Sequence, residues 1–133
     1  MIKIASVCLW ISGLGFGIPG LYGIWSMLKG KGIAYVMGFP TYGNGPFEKI
    51  GVHTTIPLLI GFLFVCALEC IAGWGLWSGD KGAAILSFAI IPVEMVFYIG
   101  FALPFGPPFL VIRSILLLIS WSCSLYSGIR CSV

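Results

Sequence analysis

Three ionisable side chains, Glu69, Glu94 and Arg113, lie inside long apolar stretches of this sequence. An ionised side chain at the centre of a bilayer costs about 2.5 to 3.5 kcal/mol on insertion scales, so such residues usually face the interior of a helix bundle and pair there. A carboxyl group in that setting can exchange a proton or bind the polar head of a ligand. These three residues are therefore the candidates for ligand binding or proton exchange.

Helical geometry places the three groups at similar depths. If the turn at Gly79-Asp80 marks one membrane surface, a rise of about 1.5 Å per residue puts Glu69 about 16 Å deep and Glu94 about 22 Å deep. Arg113 returns to about the level of Glu94 after a proline-rich corner. We predict that Glu94 pairs with Arg113, and that Glu69, left without a second cation, is hydrogen-bonded or protonated.

The residues near these groups favour an orientation towards the interior of a bundle. Small residues flank Glu69 at helical spacing, namely Cys66, Ala72 and Gly73. Serines follow Arg113 along one side of its helix, at Ser120, Ser124 and Ser127, and interfaces between membrane helices favour such residues. Two interpretations stay open at this point: a functional site, or a buried ion pair that only fixes helix register.

Other chemistry has less support in the sequence. Cys66 and Cys70, four residues apart, could hold a soft metal together with Glu69, but one such pair without a histidine does not predict a metal site. The single histidine, His53, is about 24 Å from Glu69 along the same helix, so it forms no Ser/His/Asp arrangement there. We predict no metal and no catalytic residues, which favours a protein that is not an enzyme, and the sequence names no cofactor.

Composition identifies the environment of the chain. Of its 133 residues 59% are hydrophobic and 8% are charged, whereas soluble domains carry about 25% charged residues. The net charge of +3 comes from basic residues scattered at the ends of apolar stretches, where they meet lipid headgroups. We therefore predict an integral membrane protein whose partner is the lipid bilayer and not a nucleic acid.

The apolar stretches predict an all-α, polytopic membrane protein in which residues 1–133 form one domain, a bundle of four transmembrane helices. A bilayer core needs about 20 helical residues, and the predicted spans are residues 4–28, 54–77, 82–103 and 109–128. In the first span, Gly13, Gly17 and Gly20 fall near one face, so they are predicted to allow close helix packing.

The connection between the first two spans is long and not an ordinary polar loop. Residues 29–52 are rich in glycine, proline, aromatic and apolar side chains, with turn signals at Phe39-Pro40 and Asn44-Gly45. They predict an interfacial loop that includes a short hairpin. Two roles stay open for it, a structural cap or a lid over a site, because loops of this length often carry function.

The first apolar stretch is longer than the apolar core of a signal peptide, so it is interpreted as an uncleaved span. Four spans place both termini on one side of the membrane. The basic residues do not decide which side, because Lys3, Lys81 and Arg130 on one side balance Lys29, Lys31 and Lys49 on the other. The position of Lys3 just before the first span favours cytoplasmic termini. The predicted location is the plasma membrane of a prokaryote.

The hairpin between the second and third spans resembles a known family. Leu68-Glu69, the segment AGWGLWSGD at 72–80 and the start of the third span at Gly82-Ala83-Ala84 are similar to the LE, G, L, G pattern of DoxX-like small four-helix membrane proteins. This resemblance covers the middle third of the chain. It implies a four-helix bundle, tied in some members to quinone-linked or redox complexes, with Glu69 as the one matching site residue. The aromatic loop and the corner GFALPFGPP depart from the family pattern.

These observations lead to two predictions of function. The first is a small membrane protein with a buried Glu/Glu/Arg layer that binds a lipid-like or quinone-like molecule, or that acts as a subunit of a homo-oligomer or larger membrane complex. The alternative is a proton-coupled transporter of small molecules, or a membrane enzyme, in which Glu69 is the titrating group.

Overall fold

The structure, a computed structural model, describes residues 2–32, 35–36, 39–40, 45–103 and 106–127, with side chains to Ser122 in the last helix. Within these residues the protein is all-α, with six helices and one small hairpin. The elements in chain order are α1 (Ile2–Leu28), β1 (Tyr35–Val36), β2 (Phe39–Pro40), α2 (Pro46–Lys49), α3 (Ile56–Trp77), α4 (Lys81–Ala89), α5 (Ile91–Gly100) and α6 (Gly106–Ser127).

The apolar helices α1 and α3 pack against each other along most of their length. The Ser6 hydroxyl donates a hydrogen bond to the Gly73 carbonyl, and Trp10 Nε1 donates to the Cys70 carbonyl at 3.3 Å. Gly13 lies so close to Cys70 that a β-carbon there would overlap its sulfur atom. The early part of α1 therefore meets the late part of α3, and the two helices are antiparallel.

The other two glycines predicted to pack, Gly17 and Gly20, are also buried. A β-carbon at Gly17 would lie 3.5 Å from the Cys66 β-carbon, so this part of α1 faces α3 as well. The helix continues through Pro19 without a break. Small residues on α1 thus pack within one copy of the chain, which is the close approach that small side chains permit between membrane helices.

The predicted third span, 82–103, is bent at Ile90 into two helices. The chain forms α4 and α5, whose directions differ by 40°, and α5 ends at Gly100. Pro92 explains the break at Ile90, because proline lacks an N–H group and its ring clashes with the carbonyl four residues earlier. At its start, α4 is capped by Asp80, which accepts a hydrogen bond from the Gly82 N–H at 2.9 Å.

The remaining predicted boundaries shift by a few residues. The second span begins at Ile56 instead of residue 54, and the last begins at Gly106 instead of residue 109. The corner before α6 includes Ala102, whose φ of 53° is unusual for a residue with a β-carbon. Residues 104–105 of the corner and the predicted end of the last span at residue 128 lie outside the described residues.

Among the described residues two helices, α1 and α3, are long and apolar enough to cross a membrane, and the bent pair α4 and α5 makes a third candidate if it counts as one span. The segment Gly106–Ser122 of α6 is a shorter apolar helix. The structure therefore supports an integral membrane protein with two to three candidate spans, a coarser description than the four predicted.

The positions of the helix ends give the relative directions of the helical segments. Ile2, Asp80 and Trp121 line one groove, so the start of α1, the turn between α3 and α4 and the later part of α6 lie at one end of the bundle. Phe47, from the connection between α1 and α3, packs against Phe101 at the end of α5. The long connection and the corner before α6 therefore lie together, and the four helical segments alternate in direction.

The long connection contains the predicted hairpin, in which Tyr35 pairs with Pro40 and Val36 with Phe39 in antiparallel register. After it, α2 places Phe47 over Gly100, where a β-carbon would overlap the Phe47 ring. The loop residues between these elements lie outside the described residues. What the structure describes is a segment folded over one end of the helices, as the sequence predicts.

Candidate functional site

The three charged residues come from three separate helices. Glu69 lies near the middle of α3, Glu94 in the first turn of α5 and Arg113 in the second turn of α6. Their exposed fractions are 0%, 0% and 2% respectively. The break before α5 matters for this arrangement, because Glu94 lies directly after it and is directed by α5 and not by α4.

Glu94 and Arg113 form a two-point ion pair, which confirms the predicted pairing. Arg113 donates from Nη1 to Glu94 Oε1 at 3.0 Å and from Nη2 to Glu94 Oε2 at 2.6 Å. Arg113 Nη2 also donates to the Ser87 carbonyl on α4 at 3.3 Å. Because the planar guanidinium matches both oxygens of the carboxylate, this pair links α5 to α6 with a fixed geometry.

Glu69 joins the same layer at its edge. Its Oε1 accepts a hydrogen bond from the Tyr98 hydroxyl at 2.6 Å and lies 3.8 Å from Arg113 Nη1. The sequence reasoning missed Tyr98 and Ser87. A signal for Tyr98 was present, because it follows Glu94 by four residues and so lies on the same face of α5.

Several buried polar atoms in this region lack a hydrogen-bond partner among the described residues. They are Glu69 Oε2, Arg113 Nε, Ser87 Oγ and Ser120 Oγ. Ser120 belongs to the predicted polar stripe on the last span, whereas the side chains of Ser124 and Ser127 lie outside the described residues. Buried polar atoms without partners are uncommon in proteins, so the layer has capacity for further polar contacts.

Aromatic side chains separate the charged layer from the loop end of the bundle. The Tyr98 ring packs on Phe16 of α1, with centroids 5.4 Å apart. Phe62 lies between this level and the loop, 5.4 Å from Phe101, and Phe47 of the loop packs on Phe101 at 5.3 Å. Glu69 is therefore covered on that side by a series of aromatic rings in tilted and edge-to-face contact.

Two grooves lie elsewhere on the molecule. One, of about 210 Å³, is at the end that contains the Asp80 turn. The other, of about 260 Å³, runs between α1 and α3 and has Gly13, Gly17 and Cys66 among its lining residues. Neither groove is lined by Glu69, Glu94 or Arg113.

His53, Cys66 and Cys70 form no metal site with the charged layer in the described structure. Among the described residues no group of three histidine, cysteine or acidic side chains is placed to hold a metal ion. His53 is exposed just before α3. Cys66 is buried, and Cys70 is half-buried beside Gly13.

No family model, curated protein or solved structure matches this chain. The fold and the site define a small helical protein with two to three candidate membrane spans and a buried ion-pair layer. The similarity to DoxX-like proteins, and the quinone-linked role that it implies, stay predictions.

Proposed function

We propose that the protein is a four-span membrane protein that serves as a small subunit of a larger membrane complex, and that its charged layer fixes the helix arrangement. The burial of that layer carries the proposal, because Glu94 and Arg113 balance each other's charge and are 0% and 2% exposed. A carrier or an enzyme needs a path for water or substrate to Glu69. Neither of the two grooves described above, which are formed by the described residues, has Glu69 in its lining.

Helix length and charge compensation support the four-span arrangement. The α4–α5 segment covers residues 81–100 and α6 has 22 residues, and about 20 helical residues are enough to cross a bilayer core. Arg113 makes α6 less apolar than the other spans, but its charge is paired inside the bundle. The alternating helix directions agree with four crossings.

Thiol labelling in a variant without native cysteines tests the four crossings. We expect His53→Cys and Ala102→Cys to react with a membrane-impermeant reagent from one side, and Ser78→Cys from the other, because α3 and α4–α5 each cross once. If Ala102→Cys reacts from the same side as Ser78→Cys, α4–α5 does not cross and the four-span proposal is wrong.

The apolar outer surface supports a role that depends on packing in the membrane. Large apolar side chains are exposed along several helices, for example Ile18 at 63%, Phe64 at 66% and Trp74 at 68%. In a bilayer such a surface contacts lipid tails or the helices of other subunits. The charged layer on the inside would then keep this surface in one shape.

Native mass spectrometry after purification in a mild detergent tests the subunit role. We expect an assembly that contains the 14.3 kDa chain in more than one copy or together with a second membrane polypeptide in a fixed ratio. Glu69→Gln is a matched control that should keep the assembly, because Glu69 is buried and does not form the outer surface. A single chain that carries only detergent would contradict the proposal.

Binding of a lipid-like or quinone-like molecule is a second candidate, and the groove between α1 and α3 favours it. This groove has the apolar residues Leu14, Ile18 and Leu63 and the small residues Gly13 and Gly17 in its lining. A chain of hydrocarbon could lie along it without displacing a helix.

Extraction of the purified protein, followed by mass spectrometry of the hydrophobic molecules it retains, tests this candidate. Gly17→Leu fills the groove, so we expect a retained molecule in the wild type and its loss from this variant. Gly15→Leu is the matched control, because a β-carbon at Gly15 meets nothing within 4 Å. Equal retention by all three proteins would mean that the groove is not the binding site.

A further inference from the structure

The charged layer contains two carboxyl groups and one guanidinium group. Glu94 takes two hydrogen bonds from Arg113, so the charge of Arg113 is already matched. Glu69 lies 3.8 Å from Arg113 Nη1, beyond hydrogen-bond distance. If both carboxyl groups were ionised, the layer would hold one uncompensated negative charge in a region closed to solvent, which is strongly unfavourable.

The hydrogen bonds to Glu69 do not suit an ionised carboxylate. Its Oε1 accepts one hydrogen bond, from Tyr98, and its Oε2 has no partner among the described residues. A buried carboxylate is normally stabilised by two or three donors or by a cation. Glu69 has one donor, and the nearby cation is bound to another group.

The titratable groups on the neighbouring helices do not supply the missing charge. Those on α3 are Cys66 and Cys70, those on α5 are Glu94 and Tyr98, that on α6 is Arg113, and Cys8 lies on α1. Among these described residues Arg113 is the one cation. A charge that compensates Glu69 would therefore have to come from a bound proton or a bound ion.

We propose that Glu69 binds a proton and holds it as a neutral carboxyl group beside Tyr98, while Glu94 carries the charge that balances Arg113. The layer is then electrically neutral, and no ion is needed inside the bundle. Binding forms one O–H bond on Glu69 and breaks one in the hydronium ion of the solvent that supplies the proton, and no other covalent bond changes. This inference does not depend on the subunit role, because it concerns the interior of a single chain.

Infrared spectroscopy of the purified protein at neutral pH tests the proposal directly. We expect a carbonyl stretching band from a protonated carboxyl group that shifts in D₂O and is absent from Glu69→Gln. Tyr98→Phe should retain the band at a shifted frequency, because the hydrogen bond to that carboxyl group is lost. If the wild type minus Glu69→Gln difference contains no such band, the proposal is overturned.

Thermal unfolding provides a second test that distinguishes a proton from a bound ion. Glutamine has the shape of a neutral glutamic acid, so Glu69→Gln should unfold at the wild-type temperature, and sodium chloride and choline chloride should give the same result. Glu94→Gln is the matched control and should unfold at a lower temperature, because Arg113 loses its partner. The proposal is overturned if Glu69→Gln lowers the unfolding temperature as much as Glu94→Gln does. It is also overturned if sodium raises the unfolding temperature of the wild type but not that of Glu69→Gln.

Discussion

Arg113 forms hydrogen bonds to residues on two other helices. Its guanidinium group holds both oxygens of Glu94 and the carbonyl of Ser87, which ties α4, α5 and α6 together. A lysine in its place would keep the charge but could not provide the planar two-point contact. The shape of the side chain therefore matters as well as its charge.

We expect Arg113→Lys to lower the free energy of unfolding by about 1.5 to 3 kcal/mol, the contribution of a hydrogen bond to a charged group. Equilibrium unfolding in mixed micelles measures this change. Lys81→Arg, at the exposed start of α4, is the matched control and should stay within about 0.5 kcal/mol of the wild type. An Arg113→Lys variant as stable as the wild type would show that the two-point contact is not needed.

The charged side chains of this layer could be predicted from sequence, but their complete set of partners could not. Charge inside an apolar stretch is visible in a single sequence, and helical rise placed Glu69, Glu94 and Arg113 at one depth. Tyr98 could have been found from its spacing to Glu94. The Ser87 carbonyl could not, because a backbone contact across helices depends on where α4 breaks.

Among the helices, α1 and α3 show most clearly how small residues set the packing distance. Gly13 faces Cys70 with no room for a β-carbon, whereas Gly15 on the same helix faces open space. Because both glycines lie in α1 and only Gly13 contacts α3, substitutions at the two positions can be compared directly.

Gly13→Ala should destabilise the protein by about 1 to 3 kcal/mol, because extra volume in a close-packed contact forces the helices apart. Gly15→Ala should be neutral, or more stable by up to about 1 kcal/mol, since alanine is the better helix former. Unfolding in mixed micelles compares the two variants. Equal effects would show that the two sides of α1 are packed alike, contrary to the structure.

The contact between Gly100 and Phe47 holds α2 against the end of α5. Gly100→Ala should displace α2, because the new β-carbon overlaps the Phe47 ring. We expect faster protease cleavage near residues 45–52 with little change in the unfolding temperature of the bundle. Gly61→Ala is the control, since a β-carbon there lies at an ordinary 3.7 Å from Phe97. Unchanged cleavage in Gly100→Ala would mean that the loop does not rest on α5.

The helices themselves could largely be predicted from apolar length. A hairpin in the loop was also predicted, but the turn signal at Phe39-Pro40 forms strand β2 and not the turn. The break at Ile90 was missed, although Pro92 was visible in the sequence. Helix α1 continues through Pro19, whereas the chain breaks at Ile90, two residues before Pro92. A single sequence does not distinguish these two outcomes for a proline. The direction in which α5 leaves α4 depends on packing against α6.

In the complete bundle, basic residues lie at both ends beside tryptophan rings. Lys3 lies 5.4 Å from the centroid of Trp77, and Lys29 lies 4.1 Å from that of Trp25. Such pairs suit the membrane interface, where aromatic rings and cations meet lipid headgroups. Trp25 lies near the end of α1, and Trp77 is the last residue of α3. Charges of the same sign at both ends also explain why the sequence could not decide orientation.

We expect the ion pair between Glu94 and Arg113 to hold the helices of the bundle together. A double-mutant cycle tests this expectation most directly. Glu94→Leu and Arg113→Leu should each lower the free energy of unfolding by about 3 to 5 kcal/mol, because each leaves a buried charge without its partner. The double variant should be more stable than either single variant, since it buries no unpaired charge. If the loss in the double variant equals the sum of the two single losses, the residues are not coupled and the ion pair does not hold the helices together.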